Sequence, residues 1–219
     1  MNARIAVLGG GAWGTALAVT LARAGADVGF WMRDGDTARA INDAHENPSY
    51  LPGIALDPKL RATTNIGEAT RGATCVLAVV PAQTLRPMAE AMRRLPKMPI
   101  VICAKGIEIE SHSLLSEVFA KECPKAKLAF LTGPNFAIEI ASGLPSASTL
   151  ACTDKVNGDF LQSALTSKNL RLYLTGDIVG AQVAGAIKNV IAIACGIAQG
   201  LGLGESARAA LVTRGLAEI

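Results

Sequence analysis

The stretch Ile5-Ala6-Val7-Leu8-Gly9-Gly10-Gly11-Ala12-Trp13-Gly14-Thr15-Ala16-Leu17-Ala18 decides the fold. A short apolar run leads into Gly9-x-Gly11-x-x-Gly14, and a helix-forming stretch follows at once. Gly9 permits the tight turn out of a buried strand, Gly11 lets a pyrophosphate approach the backbone, and Gly14 lets the helix pack close to the strand. The free N–H groups at the start of that helix, with its dipole behind them, favour an anion. Glycine-rich turns are common, and read blandly these residues form a strand–helix turn with no ligand. Their place at the N-terminus, where a first βαβ unit belongs, points to a dinucleotide.

Outward from this turn, apolar strand-like runs recur at 3–8, 27–32, 74–80, 99–103, 127–132, 147–152 and 170–174. Helix-forming stretches at 13–24, 35–45, 83–94, 112–122, 135–142 and 155–166 alternate with them. The alternation predicts an α/β fold, a Rossmann-like doubly wound parallel sheet covered on both faces, with ligands at the carboxyl ends of its strands. After about residue 176 only helical stretches follow, at 177–199 and 204–219, separated by Gly200, Gly202 and Gly204. Residues 1–176 therefore read as a dinucleotide-binding domain and 177–219 as the start of an all-helical second domain. The helical pattern is still running at Glu218-Ile219, with neither a C-cap glycine nor a following proline, which reads as a truncation. The turn-rich segment from Asn47 to Gly53 is either a connector or a functional loop beside the strand ends.

Composition narrows the function. Half of the 219 residues are hydrophobic and only 4% are aromatic, which suits an α/β core packed with Ala, Val, Ile and Leu. A net charge of +3, with scattered basic residues, argues against nucleic acid and against a membrane surface. Cys75, Cys103, Cys123, Cys152 and Cys195 form no Cys-x-x-Cys pair and read as small core hydrophobes in a reducing compartment. His45 and His112 lack metal-ligand spacing, so no metal is expected. The run at 5–8 is too short for a signal peptide, and a cytoplasmic location is expected. The longest apolar stretch, 178–203, is interrupted by Gln182, Lys188, Asn189 and Gln199. Charge near the middle of a span is costly, so this reads as a buried helix and not as a membrane span.

Several residues could carry chemistry. Arg33, at the end of the second strand, can accept a ribose 2′-phosphate and favours NADPH, while Asp34 keeps NADH open through the 2′-hydroxyl. Val79-Val80-Pro81 ends the run at 74–80, where backbone can pass beside the cofactor. Lys105 lies just past a strand end on the ligand side; the plain alternative is a solvated loop lysine. Gly133-Pro134 turns the chain, and Asn135 would stand near a helix N-terminus with its amide free for a ligand, or act as a cap. Lys188 and Asn189 sit within an otherwise apolar helix. A desolvated Lys188, with Lys105 nearby, would have a lowered pKa and could exchange a proton with a carbonyl oxygen; the alternative is a lysine that snorkels to the surface.

Taken together, these segments resemble the soluble bacterial NAD(P)-dependent glycerol-3-phosphate dehydrogenases. The resemblance is carried by residues 9–17, Tyr50-Leu51-Pro52-Gly53, Lys105-Gly106-Ile107-Glu108, Gly133-Pro134-Asn135-Phe136-Ala137, Gly143-Leu144-Pro145, residues 185–193, Gly200 to Gly204, and residues 209–218. It implies reduction of dihydroxyacetone phosphate to sn-glycerol 3-phosphate, feeding glycerophospholipid synthesis. By the same resemblance Ala12, Trp13, Arg33 and Ala137 contact NADPH (or NADH) beside Gly9, Gly11 and Gly14. Lys105 touches cofactor and substrate, and Gly133 and Asn135 line the substrate site. Lys188 is the general acid/base, with Asn189 beside it, and a homodimer is implied. The chain departs from the family at Gln199, where an aspartate is usual, and at Glu205-Ser206. Family members continue for about a hundred residues more, an ordinary domain's worth, which supply an aspartate and an Arg-Asn pair to the substrate site. Two other readings stand beside this one. One is a related dehydrogenase acting on a hydroxy acid. The other is a truncated, non-catalytic NADP-binding module.

Overall fold

The computed structural model describes residues 3–94 and 97–218. The chain opens with β1 (Arg4–Leu8), α1 (Ala12–Arg23), β2 (Asp27–Trp31) and α2 (Gly35–Ala44). Then come β3 (Arg61–Thr63), α3 (Ile66–Thr70), β4 (Cys75–Ala78), a 3-10 turn at Ala82–Thr84 and α4 (Leu85–Met92). These are followed by β5 (Pro99–Ile102), α5 (Leu115–Glu122), β6 (Lys127–Thr132) and α6 (Ala137–Ala141). The order closes with β7 (Ser146–Ala151), α7 (Lys155–Leu165), β8 (Leu170–Thr175), α8 (Ile178–Gly200) and α9 (Gly204–Glu218).

The strands form one sheet in the order β3-β2-β1-β4-β5-β6-β7-β8. Alternate residues of β1 show how it is sandwiched. Ile5 and Val7 join a core cluster with Leu17 and Leu21 of α1, Ile41 of α2, Ile140 of α6 and Leu161 of α7. Ala6 and Leu8 join the opposite cluster with Leu85 and Met88 of α4 and Leu115 and Phe119 of α5. Both faces are thus buried, which explains why these strands read as unbroken apolar runs. Phe30, Phe119 and Phe130 are fully buried, each contributing about 2–3 kcal/mol of burial free energy. The strand order reverses between β1 and β4, and a crevice opens there outside the carboxyl ends.

The structure corrects the sequence reading in three places. First, β3 and α3 were absent from the expected elements. Three residues on a sheet edge are too short to show a period, yet β3 pairs with β2 from Gly29↔Arg61 to Trp31↔Thr63. Gly29 is the trace of α3, because a methyl there would overlap the Ala69 carbonyl oxygen. Second, the sheet is not wholly parallel. β7 runs antiparallel to β6, with Thr132 opposite Thr149 and Phe130 opposite Ala151, and β8 is parallel to β7. Third, α8 is not a buried helix. Its 23 residues, at a mean hydropathy of 1.7, are long and apolar enough to cross a membrane by length and composition, and 11% of that stretch is buried. Only Gln182, Gly185 and Ala198 are buried on it; β6, β7 and α9, with α5 at Gln182, cover part of the helix, and most of its residues are left partly or fully exposed.

Candidate active site

The glycine-rich turn lies at the crevice. Gly9, with φ 141°, takes a backbone conformation that only glycine adopts readily. Its N–H continues the sheet to the Trp31 carbonyl (2.9 Å), and a methyl there would overlap the Val79 carbonyl oxygen at the end of β4. A methyl at Gly14 would overlap the Gly9 carbonyl oxygen, so α1 sits directly on the turn. Gly11 differs. Nothing lies within 4 Å of a Cβ built on it, and as N-cap of α1 it offers no side chain to the helix N–H groups. Ala12, Trp13 and Ala137 are partly buried against the same core cluster, so α1 and α6 share this edge.

At the neighbouring strand end, Arg33 is exposed. Asp34 is committed elsewhere: it is the N-cap of α2, and its Oδ1 accepts from the Thr37 N–H at 2.6 Å. The Thr37 hydroxyl, then this N–H bond, and after them the Arg39 and Arg33 charges hold the Asp34 carboxyl below its usual range. The residue read as a 2′-hydroxyl acceptor thus also caps its own helix.

Lys105 is half-buried beyond β5, where Cys103 extends the pairing to the Ala78 carbonyl (2.9 Å). Its Nζ donates to the Gly133 carbonyl at 3.1 Å. Desolvation, followed by the adjacent charge of Lys188, lowers the Lys105 ammonium to about 8. The expectation for Asn135 is corrected. Its amide is not wholly free, since Nδ2 donates one hydrogen to Ser148 Oγ at 2.6 Å. Nor does it cap the helix, which begins at Ala137 with Phe136 as N-cap. The antiparallel β7 brings Ser148 alongside the Gly133 turn, a neighbour that sequence spacing does not reveal.

Lys188 and Asn189 come from α8, and the reversal of β7 and β8 explains how they arrive. β8 ends at Thr175, level with Ala151 and Phe130 inside the sheet, so α8 rises past β6 toward the carboxyl edge. Gln182 fixes the climb. It is fully buried, accepts from the Ser116 N–H at 2.9 Å, and donates to Ser116 Oγ at 2.8 Å and to the Ile178 carbonyl at 2.9 Å. One turn later, a methyl on Gly185 would lie 3.2 Å from Thr132 Oγ1 and 3.8 Å from Lys105 Cγ. Lys188 follows three residues on, beside Lys105. Both Lys188 and Asn189 are exposed, contrary to the desolvated lysine expected; the burial falls on Lys105.

Glu108 and Glu122 were not singled out in the sequence. Arg86 grips Glu108 with Nε to Oε1 at 2.9 Å and Nη2 to Oε2 at 2.6 Å, and reaches Glu122 Oε1 with Nη1 at 2.5 Å. Arg93 closes the other side of Glu122, and Ser111 Oγ donates to Glu108 Oε2 at 2.5 Å. The bonds from Arg86 to Glu108, and from Arg93 and Arg86 to Glu122, hold both carboxyls below the usual range. This network, with Gln83 bonded to the backbone of Ile107 and Ile109, ties the loop after Lys105 to α4 and α5. Two surface hollows, one beside Asp27 and Lys59, the other beside Met98 and Lys125, open at the opposite edge of the sheet.

The model of the NAD-dependent glycerol-3-phosphate dehydrogenase N-terminus matches residues 4–157, and that of its C-terminus matches 177–219. A glycerol-3-phosphate dehydrogenase [NAD(P)+] of Rhodospirillum rubrum is 56% identical over 98% of this chain, and that of Paramagnetospirillum magneticum is 52% identical over 99%. The chain spans 62% of the first relative's length and 79% of the second's. The crystal structure of glycerol-3-phosphate dehydrogenase from Coxiella burnetii superposes with a TM-score of 0.92 at 37% identity, covering 99% of this chain and 67% of that one. A glycine-rich turn at the switch point, two lysines meeting at the carboxyl edge and these matches lead to one conclusion: the chain belongs to the NAD-dependent glycerol-3-phosphate dehydrogenase family.

Proposed function

We propose that the chain takes part in NAD(P)H-dependent reduction of dihydroxyacetone phosphate to sn-glycerol 3-phosphate, a step that feeds glycerophospholipid synthesis. The observation that carries this reading is the meeting of Lys105 and Lys188, remote in sequence, at the carboxyl edge of the sheet beside the Gly133 turn. The residues present fit a dinucleotide: Gly11 is open, Gly9 and Gly14 are closed against backbone, and α1 starts beneath them. Gly9, Gly11, Gly14, Ala12 and Trp13 would hold its pyrophosphate side, Arg33 its 2′-phosphate and Ala137 the far rim. The capping role of Asp34 supports NADPH over NADH.

When bound, the reduced nicotinamide supplies a hydride to the carbonyl carbon. As the carbonyl electron pair moves onto oxygen, the Lys188 Nζ ammonium gives that oxygen its proton and becomes a neutral amine. Lys105 stabilises the developing negative charge, and its bond to the Gly133 carbonyl holds it in place. Gly133 and Asn135 line the substrate side, with the Asn135 amide held by Ser148, and Asn189 flanks Lys188. Free cysteines support a cytoplasmic location. The lysine within α8 argues against a membrane span. The apolar face of α8, with Val190, Ile193 and Ile197 exposed, supports association into a homodimer.

NADPH oxidation on addition of dihydroxyacetone phosphate, followed by absorbance with a Lys188→Ala control, tests the reading. Turnover that the substitution abolishes supports it. NADPH binding without turnover leaves a dinucleotide-binding module, and turnover only with a 2-oxo acid moves the chain to a hydroxy-acid dehydrogenase.

A further inference from the structure

The segment between α2 and β3 carries Asn47, a polar side chain with no exposed surface. Its Nδ2 donates to the Gly10 carbonyl at 2.9 Å and to Thr15 Oγ1 at 2.8 Å. Its Oδ1 accepts from the Tyr50 N–H at 3.2 Å, and its own carbonyl accepts from the Leu51 N–H at 2.9 Å. Both amide hydrogens are therefore spent on the turn between β1 and α1, from a loop that is closed on itself.

Gly10 is the middle of three successive glycines, the sequence in which a peptide plane rotates most freely. No described peptide bond is cis. In a trans peptide the carbonyl of one residue and the N–H of the next point in opposite directions. Drawing the Gly10 carbonyl inward onto Asn47 turns the Gly11 N–H the opposite way, at a residue whose Cβ position has nothing within 4 Å.

We infer that Asn47 is a positioning residue for the dinucleotide: its amide holds the Gly10–Gly11 peptide so that the Gly11 N–H is presented to the pyrophosphate. The inference rests on the reading of this turn as a dinucleotide site. Preorganisation of this kind is felt in affinity, because an unpinned peptide must be ordered at binding.

Asn47→Asp tests it. The variant keeps the size of the side chain but sets a carboxylate oxygen against the Gly10 carbonyl. The 219-residue chain and the variant are titrated with NADPH and with adenosine 2′-phosphate, which lacks the pyrophosphate. NADPH is expected to weaken about tenfold or more, the size of one hydrogen bond to a charged group, while adenosine 2′-phosphate binding is unchanged. The KM for NADPH rises with kcat unaltered. Equal weakening of both ligands, or of neither, overturns the proposal. Should the variant not fold, the unsubstituted chain decides by NMR. The Gly11 amide signal moves on addition of NADPH or inorganic pyrophosphate, and a Gly11 signal that stays still overturns the proposal. NADPH that fails to bind the unsubstituted chain at all removes the dinucleotide reading itself, and the inference with it.

Discussion

Lys105 donates its Nζ to the Gly133 carbonyl across 3.1 Å, with Lys188 close enough for its charge to act on Lys105. Burial and this neighbour bring Lys105 from the ordinary lysine value of 10.5 to about 8. Lys188→Met removes the neighbouring charge, so the Lys105 midpoint should move upward, toward 10.5. Competitive acylation across pH, read at the Lys105 peptide by mass spectrometry, measures this. A midpoint that stays put or falls contradicts the proximity.

The same depression has a sign in stability. Between about 8 and 10.5 the unfolded chain binds the proton that folded Lys105 has released, so stability rises with pH across that window. Lys105→Met abolishes that rise. Urea unfolding on either side of the window compares the two chains, and identical pH slopes would count against the assignment.

The three glycines of the turn should separate by substitution to alanine. Gly9→Ala and Gly14→Ala force a methyl into backbone oxygen, costing roughly 2–4 kcal/mol. Gly11, at φ −71° and ψ 179°, accepts a methyl freely, so Gly11→Ala changes stability by about 0.5 kcal/mol or less. Yet that methyl fills the approach to the backbone, and NADPH affinity should fall about tenfold, or about 1.4 kcal/mol. Chemical denaturation and NADPH titration give the two readings, and parallel losses at Gly11 would refute the distinction.

Arg33 and Asp34, adjacent in sequence, should fail differently. Arg33→Ala is expected to weaken NADPH about tenfold while leaving NADH nearly unchanged, because only the former carries the 2′-phosphate. Asp34→Ala uncaps α2 and lowers the melting temperature by a few degrees with little change in cofactor preference. Because the Asp34 pKa is lowered on folding, its contribution is present above the ordinary carboxylate value and lost as pH falls through the folded one. Equal changes in NADH and NADPH affinity for Arg33→Ala would rule out the 2′-phosphate role.

Glu108 and Glu122 should behave as parts of one clamp. Both carboxyls titrate below their usual range, so the network stabilises the fold above the ordinary glutamate value and weakens as pH falls through the lowered ones. Arg86→Met leaves both carboxylates short of a partner and should destabilise more than Glu108→Gln alone. Acid unfolding midpoints of the three chains check the order, and a reversed order would argue against Arg86 as the hub.

The glycine turn and the alternating apolar runs were legible because β1, β4 and β5 are buried on both faces and helices separate them. What was not legible shares a physical cause: it depends on contacts between distant segments. The three-residue β3 has no period to read. The reversal at β7 leaves the apolar runs unchanged, yet it brings Ser148 to Asn135 and aims α8 at the site. Lys105 and Lys188 were both recognisable, but which of them loses its water depends on how α8 lies against β6. Asn47 opens the segment read as either a connector or a functional loop, and its bond to Gly10 exists only because that segment folds back over the turn.

That fold-back has a kinetic side. The bond from Asn47 to Gly10 joins residues 37 positions apart and closes a loop that includes the whole of α1, β2 and α2. A nascent β1–α1 unit can reach helical and strand geometry from local contacts, yet three glycines keep its turn conformationally plural until the later segment docks. Anion affinity at the turn should therefore emerge after secondary structure has formed. In refolding, gain of cofactor fluorescence would lag behind the circular dichroism signal.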